Sequence, residues 1–350
     1  MINFKRRFIS NCKRYRNFAK EIIFNKHFSF LVFLIGSISD AWRKEMNNRY
    51  QNLMKKVENE NLIILDGATG TELQKRGVKM NDAAWCGITL DEDKEILIQI
   101  HSDYINIGAE VISTNTYASN RIMLSAAGME NKFQEINFRA IDAAFEARER
   151  TGKNVVIAGS LGHRLPIEVG QQEAIDSFSQ DELEEAFSEQ AELFRYKGCD
   201  LVILEMMYHP YRILPAFKAA SKIDLPVWAG FSIRQNDQGE IVNWTNHGDY
   251  KFFDTLKILK DFKIDVSGIM HSSIDVIEDG INIIKEQFKG PIMVYPDSGG
   301  WISPNWQFDT VIDPKDFQIE AKKWKELGVQ MIGGCCGLSV EHIKELDFLK

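Results

Sequence analysis

The 350-residue chain has little cysteine (five) and little proline (eight), and no glycine-rich dinucleotide fingerprint follows its first apolar run in the body. Five cysteines in a chain this long do not make a disulfide framework. Two of them, Cys335 and Cys336, are adjacent, which suits metal or redox chemistry in a reducing compartment, so the expected location is the cytoplasm. No Pro-, Gly- or Ser-rich linker, low-complexity tract or short repeat divides the body. No apolar stretch is long enough for a transmembrane helix; the run from Phe28 to Gly36 is too short. An overall positive charge is also missing, with 42 Lys and Arg against 50 Asp and Glu. A surface that tracks nucleic acid throughout is thereby excluded. With 44% hydrophobic residues, the chain can bury a sizeable core, and a small-molecule enzyme fits this balance.

The net charge of -8 conceals two different parts. Residues 1–60 carry thirteen Lys and Arg against five Asp and Glu, so the remainder is strongly acidic. The first part reads as a basic extension, partly helical or disordered. An over-extended start (Met46 and Met54 are later candidates), a targeting segment and weak contact with a membrane surface all fit it. Within it, Trp42, Met46, Tyr50, Leu53 and Met54 share one helical stripe behind the caps Ser39 and Asp40, a pattern that packs on a body.

From residue 61 to 350 the pattern alternates. Eight apolar runs read as strands: Leu62–Leu65, Val111–Thr114, Val155–Ala158, Leu201–Leu204, Val227–Phe231, Val266–Met270, Ile292–Tyr295 and Gln330–Ile332. Helical patterns separate them, with capping boxes at Thr89/Glu92 and Ser179/Glu182 and stop signals at Gly108 and Gly198. Leu97, Ile100, Tyr104 and Ile107 make one buried helical face; Leu183, Phe187, Ala191 and Phe194 make another. Eight near-continuous apolar strands, each followed by a helix, predict a single α/β domain, a (β/α)8 TIM-type barrel.

In such a barrel the C-terminal ends of the strands carry function. Here they end in Asp66-Gly67-Ala68-Thr69-Gly70-Thr71, Asn115-Thr116-Tyr117, Gly159-Ser160, Glu205, Ser232, His271-Ser272-Ser273, Tyr295-Pro296-Asp297 and Gly333-Gly334-Cys335-Cys336-Gly337. Glycines around Cys335 and Cys336 let both sulfurs face one point, as a metal demands; a vicinal redox pair or two small core residues fit as well. His271, on the same rim, completes a set of two sulfurs and one nitrogen, leaving one tetrahedral position open as in catalytic zinc sites. Asp66 and Glu205 can be an Asx turn and a polar strand end. Together, on one rim, they also suit the ammonium of an amino-acid substrate.

In order and spacing, these residues resemble the homocysteine S-methyltransferases, whose zinc barrel also occurs in betaine-homocysteine methyltransferase and in the homocysteine module of cobalamin-dependent methionine synthase. The likeness covers roughly residues 60–348. It rests on Leu65-Asp66-Gly67-Ala68-Thr69-Gly70-Thr71-Glu72-Leu73, Thr114-Asn115-Thr116-Tyr117, Gly159-Ser160-Leu161-Gly162, Glu205, Tyr295-Pro296-Asp297-Ser298-Gly299 and Ile332-Gly333-Gly334-Cys335-Cys336-Gly337. The resemblance implies Zn2+ held by Cys335 and Cys336, the homocysteine amine near Asp66 and Glu205, and its carboxylate near Gly67 and Thr116. The chain departs from the pattern where Gly268-Ile269-Met270-His271 stands for the family's Gly-Ile-Asn-Cys. Asp297 replaces the usual asparagine after Tyr-Pro, and Met206 follows Glu205. With histidine for the third thiolate, the metal site changes from -1 to neutral, making zinc a stronger Lewis acid and a bound thiolate less nucleophilic.

The expected activity is therefore a zinc-dependent transfer of a methyl group from an onium donor to the thiol of homocysteine, giving methionine, with His271, Cys335 and Cys336 as the catalytic metal ligands. Trp85 and Tyr117, and less directly Tyr208, are the aromatics expected to face the cationic donor. A paralogue acting on another thiol or on a selenol, and a non-catalytic barrel with a binding or regulatory role, are the alternatives. A chain of this length leaves no room for folate and cobalamin modules.

Overall fold

The computed structural model describes residues 48–88, 92–166, 178–245 and 248–350. All belong to the compact unit Met46–Lys350. The first 47 residues, including Trp42 and Met46 of the helical stripe, and the cap residue Thr89 lie outside the described residues.

Eight parallel strands form the wall of a barrel: β1 (Ile63–Ile64), β2 (Val111–Ser113), β3 (Val156–Gly162), β4 (Leu201–Met207), β5 (Val227–Phe231), β8 (Val266–Ser273), β9 (Ile292–Asp297) and β12 (Met331–Ile332). They pair in the order β1-β12-β9-β8-β5-β4-β3-β2. A parallel bridge between Leu65 and Val111 joins the two ends of that series. The (β/α)8 expectation is met. Two small antiparallel hairpins stand outside the wall: β6 (Ile233–Gln235) with β7 (Ile241–Asn243), and β10 (Gly300–Ile302) with β11 (Asn305–Gln307).

Helices cover the strands with the faces expected of them. Leu97, Ile100 and Tyr104 are fully buried on helix Lys94–Asn106, as are Leu183, Phe187, Ala191 and Phe194 on helix Gln180–Lys197. The latter helix starts in the Ser179/Glu182 capping box and stops at Gly198, whose left-handed φ of 82° ends the helix at little steric cost. Strand ends differ from the sequence reading at the mouth. Gly159, Ser160, Glu205 and His271 lie inside strands, because the ladder runs on past the apolar residues as far as the Gly162–Glu205 pair. Gly159 permits this: a Cβ there would meet the Phe194 ring at 2.4 Å, so the covering helix packs directly on backbone.

The base of the barrel is closed by a helix over residues 48–58. Tyr50, Leu53 and Val57 are buried there. Arg49 Nε donates to Asp200 at 3.0 Å, Tyr50 donates to Asp265 at 2.8 Å, and Trp228 Nε1 donates to the Tyr50 hydroxyl at 3.1 Å. Asp200 and Asp265 each sit one residue before a strand, so these bonds hold the helix to the N-terminal ends of the wall. Among the described residues no helix is long and apolar enough to cross a membrane.

Candidate active site

At the opposite end lies a cavity of about 600 Å³. His271, Cys335 and Cys336 meet in its lining, with one nitrogen and two sulfur atoms all within 4.8 Å of one another. Local backbone explains the convergence. The β8–β9 pairing shifts register between Met270 and Ser273, a bulge, and His271 takes a left-handed φ of 46° within it. That conformation is costly for a residue with a Cβ, and bulges re-aim side chains beside active sites. The imidazole Nδ1 thus reaches 3.2 Å from Cys335 Sγ and 3.6 Å from an Asp297 carboxylate oxygen. On the other side, Cys335 N donates to Pro296 O and Cys336 O accepts from Ser298 N, tying the Cys loop to the end of β9. Gly337, at φ 83°, lies so close to the Ser298 carbonyl that a Cβ would stand 1.9 Å from it. No other residue fits there.

The electrostatics follow from burial among like charges. A bond from the Cys336 thiol, with help from the His271 ring, holds the Cys335 thiol well below its ordinary range. Burial disfavours a charged His271, yet the Cys335 thiolate and Asp297 together raise its pKa to about 9. Three carboxyls go up: Asp66 to about 7, chiefly through burial; Glu205 to about 8, through burial and the Cys335 charge; Asp297 to about 6, through burial despite the His271 ring.

Other sequence-predicted residues divide into two groups. Gly67, Trp85, Tyr117, Tyr208 and Glu205 line the cavity. Glu205 bonds the Ser160 hydroxyl and precedes Met206, which sits at φ 57° in a second bulged strand. Met206 Sδ in turn accepts from the Tyr117 hydroxyl at 2.9 Å. Asp66 and Thr116 are fully buried and stand behind the lining. Asp66 accepts from the Tyr295 hydroxyl at 2.6 Å and from Ser113 N at 2.7 Å, so Tyr295 comes between it and the cavity. The Thr116 hydroxyl donates to Ser160 O at 2.6 Å, and Thr114 and Asn115 reach the cavity surface instead.

Sequence reasoning missed much of the aromatic wall. Trp301 meets Trp85 edge-on, with centroids 5.6 Å apart, and lies 6.4 Å from Trp306. Trp306 and Trp244 each stand 6.1 Å from the His271 ring. All three missed tryptophans lie in or just after the two hairpins, which carry too few residues to show a period. Arg164 and Arg234 also line the cavity and were not singled out. Their one available signal was position, directly after β3 and β5.

With this geometry in view, comparison with known proteins is informative. The family model described as homocysteine S-methyltransferase matches residues 63–348. A homocysteine S-methyltransferase of Bacillus subtilis, YbgG, is 27% identical over 304 residues, covering 81% of this chain and 93% of that one. A selenocysteine methyltransferase of Astragalus bisulcatus is 24% identical over 309 residues, covering 80% and 90%. Among solved structures, the metallated form of the Escherichia coli homocysteine methyltransferase MmuM superposes with a TM-score of 0.67 at 20% identity, covering 85% of this chain and 99% of that one.

Proposed function

The chain belongs to the homocysteine S-methyltransferase family, and from that premise we propose that it is a zinc-dependent enzyme moving a methyl group from an onium donor to the thiol of homocysteine, giving methionine in the cytoplasm. The observation that carries this reading is the meeting of His271, Cys335 and Cys336 within 4.8 Å in the wall of an aromatic cavity. Two buried soft sulfurs and one imidazole nitrogen are a donor set that zinc accepts, and they leave one position for a substrate. A redox pair would need only the sulfurs and would not account for His271 being held against them at a strained φ.

When bound, zinc supplies the positive charge that keeps a substrate thiol deprotonated at neutral pH. Glu205 binds the acceptor's ammonium from the cavity wall, while Asp66 fixes the Tyr295 hydroxyl behind it. Gly67 offers backbone to the acceptor's carboxylate, and Thr116 braces the turn that presents Thr114 and Asn115. Trp85 and Tyr117 face the onium centre, with Tyr208 and the hairpin tryptophans completing the wall. As the sulfur attacks, a new S–C bond forms and the donor's bond to its methyl breaks, its electron pair staying with the neutral product. Charge disappears during that step, so a site that keeps water out favours it.

A second reading, methylation of another thiol or a selenol, is favoured by the likeness to a selenocysteine methyltransferase and by His271, which alters the metal's charge. The purified chain should hold about one zinc and methylate homocysteine. Cys335→Ser and Cys336→Ser should lose both metal and activity, with His271→Ala weakening zinc binding. An active metal-free protein would overturn the proposal. Faster turnover of a selenol or another thiol than of homocysteine would select the second reading.

A further inference from the structure

Arg164 stands one residue beyond His163 at the end of β3, where Asn120 Nδ2 donates to its carbonyl at 3.1 Å and fixes its backbone. Its guanidinium lies 5.8 Å over the Trp301 ring, in the lining of the cavity. Among the described residues no carboxylate pairs with it and no acceptor receives its N–H groups. The other arginine of the cavity is different: Arg234 is bound by Asp249 at 2.6 Å and by the Thr245 carbonyl. A guanidinium half-buried among aromatics, with five donors in a fixed fork, is complementary to a planar anion. None of the carboxylates in the cavity wall reaches the Arg164 guanidinium: Glu205 bonds Ser160, Asp275 bonds Ser273 and Asp297 lies beside His271. The complementary anion therefore comes with a ligand.

Which ligand follows from the neighbouring rings. Trp301 touches Trp85 edge-on at 5.6 Å, and Trp85 is the ring assigned to the onium centre. Building on the methyltransferase reading, we propose that Arg164 is a specificity-determining residue that binds the carboxylate of the methyl donor. The donor is then a small zwitterion, carrying its onium centre on the tryptophan wall and its carboxylate on the guanidinium.

The test compares two donors with the same sulfonium centre, 3-dimethylsulfoniopropionate and its neutral amide, using the full zinc-loaded chain and homocysteine. The parent should favour the acid by roughly ten- to hundredfold in kcat/KM, mainly through KM, the span of a charge-assisted bidentate contact. Arg164→Met should bring the two donors to within about threefold while leaving the KM for homocysteine unchanged. Arg164→Lys, which keeps the charge but loses the fork, should fall between. A preference that survives in Arg164→Met, or a parent without one, overturns the proposal. If the parent methylates homocysteine from no donor, the methyltransferase reading fails. Quenching of tryptophan fluorescence by acid and amide, in parent and variants, then decides the anion site by itself.

Discussion

The two ends of the barrel hold the same kinds of residue under opposite conditions. At the base, the Asp200 side chain is fully buried, but it accepts from Arg49, Arg148 and the Ile157 amide at 3.0, 3.3 and 2.8 Å. At the mouth, Glu205 and Asp297 are set beside a thiolate and a ring, with no arginine bound to either in the described residues. Burial raises the carboxyl pKa at both ends; at the base Arg49, the Ile157 amide and Arg148 oppose the rise, whereas at the mouth Glu205 goes to about 8 and Asp297 to about 6. Partners make a buried charge structural; leaving it short of partners makes it available to a substrate. The base is held together by its ions, and the mouth is held ready by them.

That contrast should show most strongly in stability. Asp200→Ala leaves two arginines facing a buried void and should cost roughly 3–5 kcal/mol in urea unfolding, with no change in KM for either substrate. If the loss is under about 1 kcal/mol, the base is not an ionic clamp and the comparison breaks. The mouth should behave in the reverse way. Glu205→Gln should weaken homocysteine binding by roughly 1.5–3 kcal/mol in calorimetry with zinc retained, and should leave the unfolding midpoint unchanged or raised.

A third buried group sharpens the contrast because, among the described residues, its ring has no hydrogen-bond partner. His101, on a helix at the side of the barrel, is fully buried with both ring nitrogens unbonded, and burial depresses its pKa to about 4. The unfolded chain binds this proton near pH 6.5 and the folded one only near 4, so stability is complete above 6.5 and declines as pH falls through that window. His101→Leu should remove about 1 kcal/mol of the loss between pH 6.5 and 5.5, seen as a flatter dependence of thermal unfolding on pH. The smallest effect is expected from the basic extension. A chain beginning at Met46 should match the full chain to within about 0.5 kcal/mol, since it keeps Arg49 and Tyr50. A chain beginning at residue 61 lacks both and should lose its cooperative transition.

The parts that could be read in the sequence are those with enough residues to show a pattern. Eight apolar runs and their caps specify the barrel, and the glycine-flanked pair Cys335-Cys336 marks the end that holds the candidate site. Side-chain direction was harder to read. Thr116 N bends back to bond Thr114 O at 2.8 Å, and this tight turn takes Thr116 out of the cavity lining. No spacing rule registers such a turn. Asp66 was legible as a site residue but not as one screened by Tyr295, because β1 and β9 become close only when β12 is inserted between them. Arg164 belongs to no motif and has no period; its meaning depends on Trp301, more than a hundred residues further on.

His271 and Asp297 stand on adjacent strands, 3.6 Å apart, at two of the places where the sequence departs from the pattern it otherwise resembles. One exchange takes a negative group away and the other brings one back next to it. Cysteine at position 271 alone would add an anion beside Asp297, and asparagine at position 297 alone would remove one. For anyone redesigning this protein, positions 271 and 297 are therefore one choice, and relatives that differ at one of them should be examined first at the other.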